Sequence, residues 1–468
     1  MTTKFLRRLA LGTALAGLLA TPATAMSLRE AVQTALTSNP EIGQAIENRE
    51  AVEFELKQAL GLYAPRLDVE ASAGVQRLDS PSRRAGGFAD DALVPAQLAL
   101  VATFDLFDGG FRDAEVQRQA ARIDSASFRV LERSEFIALQ IARVYYQYIL
   151  QQRILDLTRQ NVSFHDTMLQ DVGASIQSGQ STESDRLQVI ERLAAAKARV
   201  TEAAVELEAA RIEFEMFVGA GPGSASLPTR PGSALPNSLQ DAIAAGRINN
   251  PSARIAEADI DAASALVRQG ESAFAPKVQL EGRASTGYDI GGASGATNDL
   301  SARVSLRWNI FDGGIREAQV QEEIRRESEA IYAQAQAYRE IDEAVRTSWM
   351  RLQTRGALVS TYREQVAASS DLISAYREQF GVGDRSLLDV LDAQNTRMNV
   401  EILLETASFD AAFSEYRLLA STGSLLGFMG VSAPSQSGAY ARTAFEVPVL
   451  EVSDPAERQP LDLTLYVR

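Results

Sequence analysis

Thr182-x-x-Asp185 and Ser386-x-x-Asp389 repeat one pattern, a hydroxyl residue three places ahead of a carboxylate. A helix start uses that spacing. The hydroxyl accepts from a free backbone N–H, and the acid complements the helix dipole. Each motif follows a glycine, Gly179 or Gly383, of the kind that ends a helix by taking a positive φ. Asp392 stands one turn beyond Asp389 on the same face, where no cap needs it. The plain reading of such an acid is a solvated helix surface. Arg385, just ahead of the second motif, carries a guanidinium. It can hold a carboxylate through two hydrogen bonds, or stand exposed without a fixed partner.

The remaining reactive inventory is short. Cysteine is absent and His165 is the only histidine. That removes thiol catalysis, Cys/His zinc sites and any His-based triad. His165 alone on a helix reads as structural. No G-x-x-x-x-G-K-[ST] segment occurs, so the energy for any transport must come from a partner. A carboxylate-only exported glycosidase is disfavoured, because long helices offer no cleft. The chain is therefore expected not to be an enzyme and to carry no cofactor and no metal. With 46 basic against 61 acidic side chains the net charge is −15. Such a chain repels phosphate backbones, so nucleic acid is not an expected partner.

The elements that must position these residues begin with an address. Lys4, Arg7 and Arg8 precede the apolar run Leu9–Ala20, and Ala23-Thr24-Ala25 supplies an A-x-A site before Met26. Residues 1–25 are expected to be a signal peptide, with no cysteine after the cut to take a lipid anchor. No later run reaches the roughly 18–20 residues of a membrane helix. Leu418–Val431 comes nearest, and Ser421, Thr422, Gly423, Ser424, Gly427 and Gly430 interrupt it. An exported chain of this kind is soluble or enters a membrane as a β-barrel.

The chain is also written twice. Ser27-Leu28-Arg29-Glu30-Ala31 returns as Ser238-Leu239-Gln240-Asp241-Ala242, Asn39-Pro40 as Asn250-Pro251, and Ala64-Pro65 as Ala275-Pro276, all at one offset. Phe107-Asp108-Gly109-Gly110 returns as Phe311-Asp312-Gly313-Gly314, and Gly179 and Asp185 as Gly383 and Asp389, at a second, slightly shorter offset. The boundaries follow: a first repeat over 26–219, a Gly/Pro/Ser-rich linker over 220–237, a second repeat over 238–430 and a tail over 431–468. Each repeat is expected to hold a first helix, two strands and a long helical hairpin. The strands fall at about 66–77 and 96–107, then 277–288 and 300–311, where apolar and polar residues alternate. Their polar faces are charged and their apolar faces carry small Ala and Gly, which suits a lipid-facing strand better than a soluble core. Trp308 reads equally as an aromatic-girdle residue or as packing between strands. Four strands cannot close a membrane barrel, so two or three subunits must share one. The hairpins fall at about 112–217 and 315–428, with Ile137, Ile141, Val144, Tyr145 and Tyr148 forming an apolar stripe. Helices this long are coiled-coil material.

Export signal, duplicated strand–strand–hairpin units and a shared barrel together resemble the TolC family of bacterial outer-membrane efflux and secretion proteins. The segment Val382-Gly383-Asp384-Arg385-Ser386-Leu387-Leu388-Asp389-Val390-Leu391-Asp392-Ala393 resembles that family's signature at the second hairpin turn, and Phe-Asp-Gly-Gly after a strand is a further family feature. The resemblance spans both repeats and leaves the tail unexplained. It implies a mixed α and β membrane protein. Long α-helical hairpin coiled coils extend into the periplasm, and four strands per subunit join a shared trimeric 12-stranded β-barrel. The implied function is a passive exit duct of a tripartite efflux or type I secretion system, in the cell outer membrane and gated at its periplasmic tip. Missing lipidation leans toward protein secretion or a general duct. The implied partners are two further copies, a periplasmic adaptor (membrane fusion) protein, an inner-membrane pump of ABC or RND type, and outer-membrane lipid.

The resemblance also assigns the tip. Gly179 and Gly383 become the turns at the tunnel mouth. Threefold symmetry makes Asp389 and Asp392 an acidic ring that attracts cations. Arg385 becomes a gate latch with Asp185 of the neighbouring hairpin as its partner, and Ser184 aligns with a small hydroxyl residue of the family. Phe380 occupies the place of a gate tyrosine, so the hydrogen bond of that hydroxyl is lost here. The competing reading is a periplasmic coiled-coil adaptor or scaffold of a transport complex. It accounts for the hairpins and the export signal but not for the alternating strands.

Overall fold

The duplication in the sequence returns as a duplication of elements. A computed structural model describes residues 26–87 and 91–448. The first copy runs α1 (Leu28–Ser38), α2 (Pro40–Gly61), β1 (Arg66–Ala73), α3 (Pro81–Ala85), β2 (Ala96–Phe107), α4 (Phe111–Gln177) and α5 (Glu183–Val218). The second runs α6 (Leu239–Asn249), α7 (Pro251–Ser272), β3 (Lys277–Tyr288), β4 (Ala296–Arg307), α8 (Ile315–Gly381), α9 (Leu387–Ser421) and α10 (Leu425–Met429), and α11 (Ala441–Ala444) lies in the tail. The expected signal peptide and residues 449–468 of the tail lie outside the described residues.

Several expectations need correction. Each copy opens with two helices, because Asn39-Pro40 and Asn250-Pro251 break the run. Both asparagines are extended and cap the following helix, Asn39 to Glu41 N at 2.9 Å and Asn250 to Ser252 N at 3.0 Å. Proline then opens the helix but could not have continued one. The fourth strand sits earlier than 300–311. It pairs with β3 from Ala296↔Tyr288 to Lys277↔Arg307, so the partner runs out before Trp308, although the alternation continues. β1 ends at Ala73, short of 77, with only a bridge between Gln76 and Leu93 beyond it. The second return helix stops at Ser421 rather than running to 428. Gly423 turns there with φ +68°, and a Cβ on it would lie 2.6 Å from the Asn249 carbonyl oxygen.

The sheet is antiparallel in the order β1-β2-β3-β4. Its register puts Leu67, Val69, Leu98, Leu100, Leu280, Leu300, Val304 and Leu306 on one face, and all are exposed. The other face carries charge paired across strands, Glu70 with Arg283 at 3.0 Å and Glu281 with Arg303 at 2.9 Å. Trp308 is exposed and donates to the Phe274 carbonyl at 3.0 Å. No helix among the described residues is long and apolar enough to cross a membrane.

Phe-Asp-Gly-Gly joins sheet to hairpin. Asp108 accepts from Gly110 N and Arg112 N, both at 3.1 Å, and from Arg112 Nε at 2.7 Å, which caps α4 from outside. Asp312 repeats this for α8. Gly109 (φ +72°) is pressed against the turn after α7, where a Cβ would sit 2.7 Å from the Ser272 oxygen. Its counterpart Gly313 (φ +76°) has nothing within 4 Å of that position.

The long helices are held by apolar clusters. Ile137, Ile141, Val144 and Tyr145 are fully buried against Phe214, Tyr416 and Leu425, as the stripe predicts. The tail runs from this cluster to a second one, where Ala441 packs with Val52, Leu56, Val116, Ala120 and Ile123. There buried Asp124 accepts from the backbone N–H groups of Tyr440, Ala441 and Arg442, and Arg442 also pairs with Asp261 on α7 at 2.7 Å.

Candidate functional site at the hairpin tips

Two 67-residue helices, α4 and α8, each run on the order of 100 Å from the sheet to a turn. Glycine closes both turns: Gly179 at φ +78° and Gly383 at φ +84°. Beyond the first, Thr182 and Asp185 form a reciprocal cap. Asp185 N donates to Thr182 Oγ1 at 3.3 Å, and Thr182 N donates to Asp185 Oδ2 at 2.8 Å. Beyond the second, Asp389 N donates to Ser386 Oγ at 3.2 Å, and Ser386 Oγ donates back to Asp389 Oδ2 at 2.8 Å. These bonds are local in sequence, which is why the spacing revealed them. Ser184 is exposed on the first turn of α5.

Arg385 departs from expectation. Among the described residues no bond joins it to Asp185. Its Nε donates to Gln379 Oε1 at 3.0 Å, its Nη1 lies 3.8 Å from Asp389 Oδ2, and its guanidinium stacks 4.3 Å above the Tyr376 ring centre. The Asp389 carboxylate at the start of α9 and the Tyr376 ring on α8 engage it, while Asp185 is satisfied by Thr182. Phe380 lacks the hydroxyl, and the chain uses its ring instead. It packs with Tyr376 and Ile176 against a buried cluster of Met168, Val172, Val189, Leu387, Val390 and Leu391, drawn from α4, α5 and α9.

Asp392 is exposed but not merely solvated. Arg192 on α5 donates to its Oδ1 at 3.2 Å, so the acid reaches from the second hairpin to the first. Sequence reasoning missed Arg192, since one arginine on a long polar helix carries no local signal. The same holds for Arg199, which donates to Asn399 Oδ1 at 3.1 Å, and for the buried bond from Gln394 to Asn161 at 2.9 Å. His165 is buried on α4 nearby. Burial, and then the positive charge of Arg192, hold its pKa below the usual histidine value. No group of three or more His, Cys, Asp or Glu that could hold a metal occurs among the described residues.

The family model described as outer membrane efflux protein matches residues 31–220 and 243–424. The chain is 26% identical over 272 residues to the outer membrane efflux protein BepC of Brucella suis biovar 1 (strain 1330), covering 58% of this chain and 59% of that relative's length. It is 25% identical to the alkaline protease secretion protein AprF of Pseudomonas aeruginosa, over 84% of this chain and 83% of that one. Its fold superposes on the Campylobacter jejuni CmeC outer membrane channel with a TM-score of 0.73 at 15% identity, covering 85% of this chain and 86% of that channel. The fold class is that of a mixed α and β membrane protein, with long helical hairpins and a four-stranded sheet per chain. The chain belongs to the outer membrane efflux protein family, and its place is the cell outer membrane, with the helical hairpins in the periplasm.

Proposed function

We propose that three copies of this chain form a passive exit duct, the outer-membrane part of a tripartite efflux or type I secretion system. The observation that carries the reading is the sheet. One face is bare and apolar, the other is charged, and four strands leave two open edges that lipid does not tolerate. Three such sheets closing edge to edge give a twelve-stranded barrel. The hairpins continue it as a tunnel, with Gly179 and Gly383 at its mouth. Asp389 and Asp392, repeated by threefold symmetry, line that mouth with acid and favour cations. Ser184, Asp185, Arg385 and Phe380 belong to the same tip, where Asp185 caps α5, Arg385 braces its own turn and Phe380 fills the apolar cluster. A periplasmic adaptor and an inner-membrane pump of ABC or RND type dock there and supply the energy. The relatives are named for efflux and for protease secretion, so the duct is the property they share rather than one cargo.

The test is single-channel conductance of detergent-purified mature protein in planar bilayers, beside the double variant Asp389→Asn/Asp392→Asn. The expected result is small, cation-preferring openings in the wild type and a loss of that preference in the variant. Unchanged openings keep the duct and remove the acids from its mouth. A folded, membrane-extracted oligomer that forms no channel overturns the duct and favours the scaffold.

A further inference from the structure

We infer that the closure between the two hairpins is held by a polar clasp on α5 and α9, Arg192–Asp392 with Arg199–Asn399. This rests on the gated-duct reading and names the contact that must break when the tip opens. Three observations carry it. The two rungs join the same pair of helices and stand one heptad apart on both, 192 to 199 and 392 to 399, so they lie along one seam. The seam is also the polar tie between the arm bearing Asp389 and Asp392 and α5, beside the apolar contact of Val189. Arg385 stays on its own hairpin, with Gln379, Asp389 and Tyr376, and ties nothing across.

The third observation is the division of labour across the tip. Dry contacts join the hairpins where Val172 of α4 and Val189 of α5 meet Leu387 and Leu391 of α9 in the apolar cluster, together with the buried Gln394–Asn161 bond, and one exposed pair, Arg377–Asp171 at 3.8 Å, crosses between α8 and α4. Beside these dry contacts, the rungs between α5 and α9 are wet. The Arg192 side chain is 37% exposed and that of Asp392 58%. Water competes for an exposed pair, so such a contact exchanges easily. A seam that must part and close again calls for a contact of this kind, while the dry side keeps the arms in register. Charge bookkeeping separates the two acids as well. Asp392 is partly neutralised by Arg192 from across the seam, whereas Asp389 is engaged by its own cap residue and by Arg385. Arg192 itself also lies 3.5 Å from Glu191, a neighbour on its own helix that cannot restrain the seam.

The experiment is a charge-reversal cycle, Arg192→Asp, Asp392→Arg and the double reversal, read as closed-state conductance in planar bilayers. Circular dichroism and thermal melting serve as the fold control. Each single reversal should raise the conductance at least about twofold, and the double should return it most of the way to wild type. Arg159→Ala, which breaks an exposed pair with Asp156 within α4, should leave it unchanged. Singles that conduct like wild type, or a double no closer to wild type than the singles, overturn the clasp. A second readout does not depend on conduction. The chain has no cysteine, so Arg192→Cys/Asp392→Cys gives a unique pair for a short bis-maleimide. Cross-linking within one chain is expected in the native oligomer, and its failure overturns the clasp. If the wild type conducts nothing, the duct reading falls while this readout still decides whether α5 and α9 are joined there.

Discussion

Glu135 on α4 is 7% exposed, accepts from Leu426 N at 3.3 Å through Oε1, and among the described residues has no hydrogen-bond partner for Oε2. Burial pushes its carboxyl up to about 7, with the backbone N–H groups of Leu426 and Leu425 opposing the shift. A folded-state value above the unfolded one binds extra protons in the folded state. The associated stability is fully present below about pH 4.5 and is lost as pH rises through about 7. Glu135→Gln, which keeps the shape and removes the charge, should therefore stabilise by about 1–3 kcal/mol at pH 8 and by almost nothing at pH 4.5. Melting temperatures of both proteins across that range check it, and an equal gain at both ends would sink the idea. His165 has the opposite sign. Its lowered value costs stability as pH falls below about 6.5, because the unfolded chain takes the proton first. At this scale the caps were legible, since Thr182 with Asp185 and Ser386 with Asp389 lie three residues apart. The bond from Arg192 to Asp392 crosses 200 positions and leaves no trace in spacing.

Among the elements, Asp108 is the joint between strand and hairpin. The residue is buried, and its carboxylate serves two backbone N–H groups as well as Arg112. Asp108→Ala should cost about 1–2 kcal/mol, in the range of a lost cap, and Asp108→Asn clearly less, because an amide oxygen still accepts from the backbone. Chemical denaturation of the detergent-solubilised protein measures both, and equal losses would show that only the charge matters. The long helices were readable because period, glycine spacing and absence of proline agree over dozens of residues. Element ends were less so. Alternation runs past Arg307 into Ile310, but a strand lasts only as long as its partner, and the start of β3 fixes that limit. The breaks at Asn39-Pro40 and Asn250-Pro251 lay open in the sequence as Asn-Pro steps. Gly423 stood in the sequence among the breaks in Leu418–Val431, but the closeness of Asn249, which leaves no room for a Cβ there, needed the third dimension.

For the whole molecule, the repeat sets the long helix of the first copy against the second helix of the other. α4 lies against α7 through Glu115–Gln269 at 2.9 Å, Gln117–Arg268 at 3.0 Å and Ser125–Asp259 at 2.6 Å. The tail reinforces that joint from outside through Arg442, which touches both Asp124 and Asp261. This part of the architecture was legible only as a duplication. Which copy meets which needs coordinates, and the tail's short helix had no counterpart in either repeat to reveal it. The same motif in its two settings now has a consequence for how copies recognise one another. Gly109 is roofed by the turn after α7, while Gly313, with the same backbone twist, is roofless. In the proposed ring, the turn after α2 of the adjoining copy, the sequence counterpart of the one over Gly109, is expected to cover Gly313. A single methyl group thus sorts folding from assembly. Gly109→Ala should lower the melting temperature of the chain itself. Gly313→Ala should spare the chain apart from about 1 kcal/mol of backbone strain, and abolish the detergent-resistant trimer on a native gel. Gly313→Ala trimers as robust as wild type would mean that the ring closes by some other fit. On the expected result, each subunit carries within itself a mould of the neighbour it is waiting for.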